Sequence, residues 1–217
     1  MKSKNNLFFR KPFKYSCVNI TLYIVIINCI VFAVNYFIPY NRLVNYGALN
    51  VFMVEVKHTY WQFFTYMFIH TGGFHLFFNM LSLCMVGFVI ERTIGSKEFL
   101  LYYLLCGVLS GVFSFFVYKF TGQYFIFLLG ASGAIYSLLF AYSVLFPRRI
   151  IYIWGIIPLP AVVLVLAFAL IEILALIKGG DGISHLTHMF GFLAGWLYFI
   201  VRMGINPIKV WKNNCLK

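Results

Sequence analysis

HLTHMFGFLAGWLYFIVR, residues 185–202, carries two histidines at one end, an arginine at the other and an almost unbroken apolar run between them. A helix rises 1.5 Å per residue, so His188 stands roughly 21 Å above Arg202, most of the way across a bilayer core about 30 Å thick. An ionisable side chain at that depth is costly and marks a candidate site. Gly191 and Gly195, four apart, give the same segment a small face on which another helix can pack closely.

Working outward, the chain repeats this pattern. Of its 217 residues 63% are hydrophobic and 10% charged, against about a quarter charged in an ordinary soluble domain. Too little polar surface remains to face water, so most of the chain must face lipid. Apolar runs long enough to span predict six transmembrane helices, near residues 18–38, 74–90, 99–120, 125–146, 151–177 and 183–201. The fifth is expected to begin late or tilt because of Pro158 and Pro160. The expected architecture is all-α: a basic tail over 1–17, one six-helix membrane domain over 18–202 and a basic tail over 203–217. An aromatic-rich amphipathic loop over 39–73 separates the first two spans. The first apolar run lacks a small-x-small cleavage site and is long enough to span, so it reads as a retained helix rather than a signal peptide.

The formal net charge of +12 comes from 17 Lys and Arg against 5 Asp and Glu. The cations sit in short runs at the ends of apolar segments, which is topology rather than a nucleic-acid surface. With six spans, thirteen fall on the side of the termini and four (Arg42, Lys57, Lys119 and Lys178) on the other. The positive-inside rule then places both termini in the cytoplasm and the basic tail, with Trp211, on the anionic inner leaflet. The five cysteines, Cys17, Cys29, Cys84, Cys106 and Cys215, are scattered singly. They read as small apolar residues rather than as metal or redox ligands.

Depth can be compared between helices by counting from the basic residues at their lower ends. Ser132 lies roughly 24 Å above Arg148, and Asn79 and His75 roughly 20 and 26 Å above Arg92. A hydroxyl, two imidazoles and an amide therefore share one layer in the outer half of the membrane. A serine beside a histidine is the minimum for nucleophilic catalysis, the imidazole taking the hydroxyl proton and returning it to the leaving amine. Nearby amide or imidazole donors can stabilise an oxyanion. Gly130-Ala131-Ser132-Gly133 presents a nearly bare surface to match that of Gly191 and Gly195. Asp181, the one aspartate, stands seven residues before His188, and Glu172 lies near the outer end of the fifth span. The expectation is a Ser–His dyad with no acidic third member, Glu172 either reaching the interface or pairing with Lys178.

Each residue also has a plainer reading. A lone serine in an apolar helix commonly bonds its own i−4 carbonyl, and a lone membrane histidine commonly bonds a neighbouring helix. What those readings do not anticipate is the coincidence of depth. His70 is expected to order the loop, His185 to support His188 and His58 to be solvated. His75, His185 and His188 could converge on a metal, but the reading finds no carboxylate or thiolate at their depth to complete a site.

The strings resemble the rhomboid family of intramembrane proteases. His70 to Asn79 (HTGGFHLFFN) matches the family's HxxxxHxxxN at the start of the second span, Gly130 to Gly133 its GxSG, and Tyr136 the aromatic one turn later. His185 to Gly195 is similar to its HxxHxxGxxxG, and Glu91 with Gly95-Ser96 to the turn after the second span. Where the family often shows Trp-Arg in the first loop, this chain reads Trp61-Gln62.

The resemblance covers about 18–202 and is to the basic six-span bacterial form. It implies a multi-pass protein of the bacterial cytoplasmic membrane that cuts transmembrane protein substrates near the outer face, with no cofactor or metal and no obligate partner. It further implies Ser132 as nucleophile and His188 as base. His75, Asn79 and the Ser132 N–H would form the oxyanion hole, and Tyr136 would stack on His188. The Gly-rich stretch 178–182 is expected to act as a mobile cap, with substrate entering between the second and fifth spans. A silent client-binding relative would lack the serine or the histidine, and a transporter would need polar residues through the full membrane depth.

Overall fold

The computed structural model describes residues 10–38, 42–153, 156–179 and 185–215. Among the described residues, five helices are long and apolar enough to cross a membrane: Ile20–Phe37, Gly73–Ile94, Ser96–Phe120, Ala161–Lys178 and His185–Met203. They are the first, second, third, fifth and sixth of the expected spans, and Ser132–Leu145 is a shorter apolar helix in fourth place. The chain is thus an α-helical bundle, with a small antiparallel hairpin formed by β1 (Ile150–Ile153) and β2 (Ile157–Pro160).

The fifth helix begins late, as the prolines predict: it starts at Ala161, directly after Pro160. Ile150 to Ile153 pair instead as β1 with β2, whose two prolines cannot enter a helix interior. The fourth helix starts at Ser132 rather than at residue 125. The apolar run before it lies extended, with Leu128 bridged to Leu49 of the first loop through 2.8 Å bonds in both directions. Its other partners are also in that loop: Asn50 Nδ2 donates to the Ile126 carbonyl at 3.0 Å, and Gly130 N–H to that of Tyr66 at 3.0 Å. Backbone at membrane depth must find all its partners within the protein, and the folded loop supplies them here.

That loop is itself structured, with helices Arg42–Gly47, Val51–Lys57 and Gln62–Thr65. Gln62, fully buried, stands where an arginine was the family expectation. Its Nε2 donates to the carbonyls of Asn45 and Tyr46, and its Oε1 accepts from Asn50 N–H. Trp61 Nε1 adds a 2.9 Å bond to Tyr46. An uncharged side chain with both donor and acceptor therefore anchors the loop.

The sixth span lies at the centre, packed on the third, fourth and fifth. Small residues allow the approach. A Cβ at Gly191 would run into the carbonyl of Gly133, and one at Gly195 would lie 2.6 Å from the Tyr102 hydroxyl. The first and fifth spans turn most of their apolar side chains, such as Ile26, Ile30, Leu166 and Leu170, outward, as lipid-facing helices must. At the end bearing the basic clusters, Glu98 holds Arg202 in a two-pronged pair at 2.9 and 2.7 Å. Glu91 accepts from Ile20 N–H, Thr21 N–H, Thr21 Oγ1 and Ser96 Oγ, anchoring the start of the first span.

Candidate functional site

The site begins at a glycine. Gly130 has φ +106°, and a Cβ there would stand 2.7 Å from His75 Nε2, so neither the backbone angle nor the space admits a side chain. This turn ends the extended segment and starts the fourth helix with Ser132 as its first residue. The first-turn N–H groups of a helix have no partner within it and carry its positive dipole end. Ser132 therefore sits where backbone donors point out of the helix, and its side chain is only half-buried.

The sixth span delivers the imidazole. His188 Nε2 lies 2.8 Å from Ser132 Oγ. Tyr136, one turn below Ser132, stacks on the His188 ring with centroids 4.1 Å apart and planes 7° from parallel. Close contact of Gly133 with Thr187, and of Gly191 with Gly133 and Tyr136, sets the two helices at the distance this needs. Ser114 of the third span joins Thr187 at 2.8 Å, tying a third helix into the same layer.

The second span brings His75 and Asn79. Asn79 is buried and spends one amide hydrogen on the His75 carbonyl at 2.8 Å, leaving the second. His75 packs against Gly130 and against the ring of His70, 4.9 Å away. His70 is fully buried in the loop, with the Ala131 N–H directed at its Nε2 at 3.5 Å. Burial, and then the neighbouring His75, hold the His70 imidazole down at about 4, so it is neutral near pH 7. His58 is exposed, as expected.

Glu172 departs from the expectation. It neither reaches the interface nor pairs with Lys178: it is buried and turned into the bundle. His188 Nδ1 lies 3.0 Å from its Oε1, His185 Nδ1 2.5 Å from its Oε2, and the Tyr136 hydroxyl donates to Oε1. A carboxylate does share the depth of the histidines. Counting from Arg149 along an expected span of 151–177 puts Glu172 near the outer end, but the hairpin of β1 and β2 takes up the residues before Ala161 and brings it lower. Counted instead from Ala161, Glu172 stands roughly 16 Å up its helix, close to the layer of Ser132. Asp181 lies outside the described residues, as does most of the glycine-rich stretch to which the cap was assigned.

Glu172, His185 and His188 offer three ligand atoms within 4.8 Å of one another, a set chemically able to hold a divalent metal. His75 is not part of that set. Two tetrahedral zinc ligands stand about 3.4 Å apart, and the 2.5 and 3.0 Å contacts here are hydrogen-bond distances.

The Rhomboid domain family model matches residues 57–204. RHOMBOID-like protein 1 of Arabidopsis thaliana is 33% identical over 156 residues, which is 71% of this chain and 38% of that protein. Rhomboid protease GluP of Bacillus subtilis (strain 168) is 36% identical over 97 residues, 45% of this chain and 18% of that protein. Inactive RHOMBOID-like protein 8 of Arabidopsis thaliana is 31% identical over 74 residues, 34% and 21% respectively. The chain spans less than half the length of each of these relatives.

Proposed function

The chain belongs to the rhomboid family, and from that premise we propose that it is an intramembrane serine endopeptidase acting through Ser132 and His188. With its helices of spanning length it is an integral, multi-pass membrane protein. The observation that carries the proposal is the 2.8 Å contact between Ser132 Oγ and His188 Nε2, made by two different helices at one depth.

In the reaction Ser132 Oγ attacks the carbonyl of the scissile peptide bond while His188 Nε2 takes its proton. The tetrahedral oxyanion is received by the Ser132 N–H, the second Asn79 amide hydrogen and His75. His188 then protonates the leaving amine, and water, activated by the same imidazole, releases the acyl group. Gly130 and Gly133 keep the approach to Ser132 open, and Gly191 and Gly195 hold the sixth span against it. The substrate class is the transmembrane or juxtamembrane segment of another membrane protein. Such a segment enters laterally between the second and fifth spans and unwinds locally to expose a peptide bond. The side that opens to water is the one bearing the first loop, which the positive-inside rule makes extracytoplasmic in a bacterial cytoplasmic membrane.

The test is cleavage of a single-span substrate in liposomes by the wild type, Ser132→Ala and His188→Ala. Wild-type cleavage that both substitutions lower by at least about 10³-fold is expected. Activity surviving in Ser132→Ala would remove the proposal. A wild type inert toward a broad substrate panel, and unlabelled at Ser132 by a fluorophosphonate, would favour the client-binding behaviour that an inactive relative makes conceivable.

A further inference from the structure

We propose that Glu172 is the acidic third member of the site, a positioning residue that acts on Ser132 through His188; this rests on the protease reading above. A carboxylate in an apolar span costs several kcal/mol unless donors surround it. Glu172 has donors from two other helices: the Tyr136 hydroxyl from the fourth, and His185 and His188 from the sixth. His188 Nδ1 shares Oε1 with Tyr136, while His185 occupies Oε2, so both oxygens are held and the carboxylate cannot rotate freely.

The consequence for His188 follows from proton counting. An ionised carboxylate only accepts hydrogen bonds, so the 3.0 Å contact requires the proton on His188 Nδ1. In a neutral imidazole Nε2 then carries the lone pair, and Nε2 is the atom 2.8 Å from Ser132 Oγ. Glu172 thereby selects the one tautomer that can accept the serine proton. Once the proton has moved, the imidazolium lies against a full negative charge in a buried setting, where such a contact is strongest. Tyr136 serves the same end twice, fixing the ring by stacking and the carboxylate by its hydroxyl.

A purely structural alternative is available: Glu172 could serve to fasten the fifth span to the sixth. The two roles separate in Glu172→Gln. An amide placed there can turn its N–H toward His188 Nδ1 and drive the proton to Nε2, the unproductive tautomer. The expected result is a kcat lowered about 10²- to 10⁴-fold with KM within about threefold of wild type. Fluorophosphonate labelling of Ser132 should slow in parallel. Glu172→Asp keeps the charge but withdraws it by about one methylene, and a misplacement of that size is expected to lower kcat up to about 10²-fold.

A wild-type kcat in folded Glu172→Gln, with Ser132→Ala inactive, would overturn the positioning role and leave the protease standing. A fall in folded fraction alone, with kcat per folded molecule unchanged, would assign Glu172 to fastening the helices and overturn it equally. Should Glu172→Gln not fold, Glu172→Asp decides by the same kcat and KM criterion. An inert, unlabelled wild type would instead remove the reading on which both rest.

Discussion

At Gly191 a single methyl group would meet the Gly133 carbonyl and come within 3.1 Å of Tyr136 Cβ. Both neighbours belong to the helix that carries Ser132, so the cost falls directly on the Ser132–His188 distance. Gly191→Val is expected to destabilise the bundle by about 1–3 kcal/mol through overpacking. Cleavage per folded molecule should fall by about 10²-fold as the two reactive atoms part by an ångström or so. Thermal unfolding in detergent, together with initial rates in liposomes, checks both, and an unchanged rate in a destabilised variant would show that the helices do not set the reactive distance. Ser132, His188, Tyr136 and the glycines were legible because each is a polar or missing side chain in an otherwise apolar run. Glu172 was visible as a charge in such a run, but its direction was not. The apolar helix Ala161–Lys178 has no polar stripe to say which face turns inward, and its start after the hairpin shifts every depth counted from Arg149.

The same limit operates on whole elements. Phe125 to Leu129 is a short apolar run, and such runs read equally well as helix or as strand. What decides here is non-local: Leu49, Asn50 and Tyr66 of the first loop supply the hydrogen bonds that let the run lie extended. The helix then begins at Ser132 and not earlier, which leaves its first-turn donors beside the Ser132 hydroxyl instead of a full turn away. Asn50 is the hinge of this arrangement. Its Oδ1 caps the helix Val51–Lys57 through Met53 N–H at 2.9 Å, and its Nδ2 holds Ile126. Asn50→Ala removes a cap worth about 1 kcal/mol and leaves the Ile126 carbonyl short of a partner at about 1–3 kcal/mol more. The expected outcome is a lowered unfolding temperature with a reduced cleavage rate, since the turn at Gly130 loses its support. A variant as stable as wild type would show that the backbone bonds from Leu49 and Tyr66 hold the segment without Asn50.

Across the whole molecule, the polar layer lies nearer the face that carries the first loop, while the opposite end gathers Arg92, Arg148, Arg149 and Arg202. Pairing does not cancel that asymmetry. Glu98 engages Arg202, but acidic residues weigh little in the topology rule, which counts Lys and Arg near the span ends. Thirteen cations against four predict that the bundle is oriented with its termini inside, and on the proposed function the layer of Ser132 and His188 then opens outward. Epitope tags at both ends are expected to be protease-resistant in intact spheroplasts and cleaved after lysis. A cysteine introduced at Lys57, in a background without the native cysteines, should react with an impermeant maleimide before lysis. The orientation carries the chemistry with it: a substrate should be cut near its outer juxtamembrane end, with the severed outer fragment released to the medium. Tags digested in intact spheroplasts would invert the bundle. Ser132 would then face the cytoplasm, and the protease would be expected to act on the inner ends of its substrates.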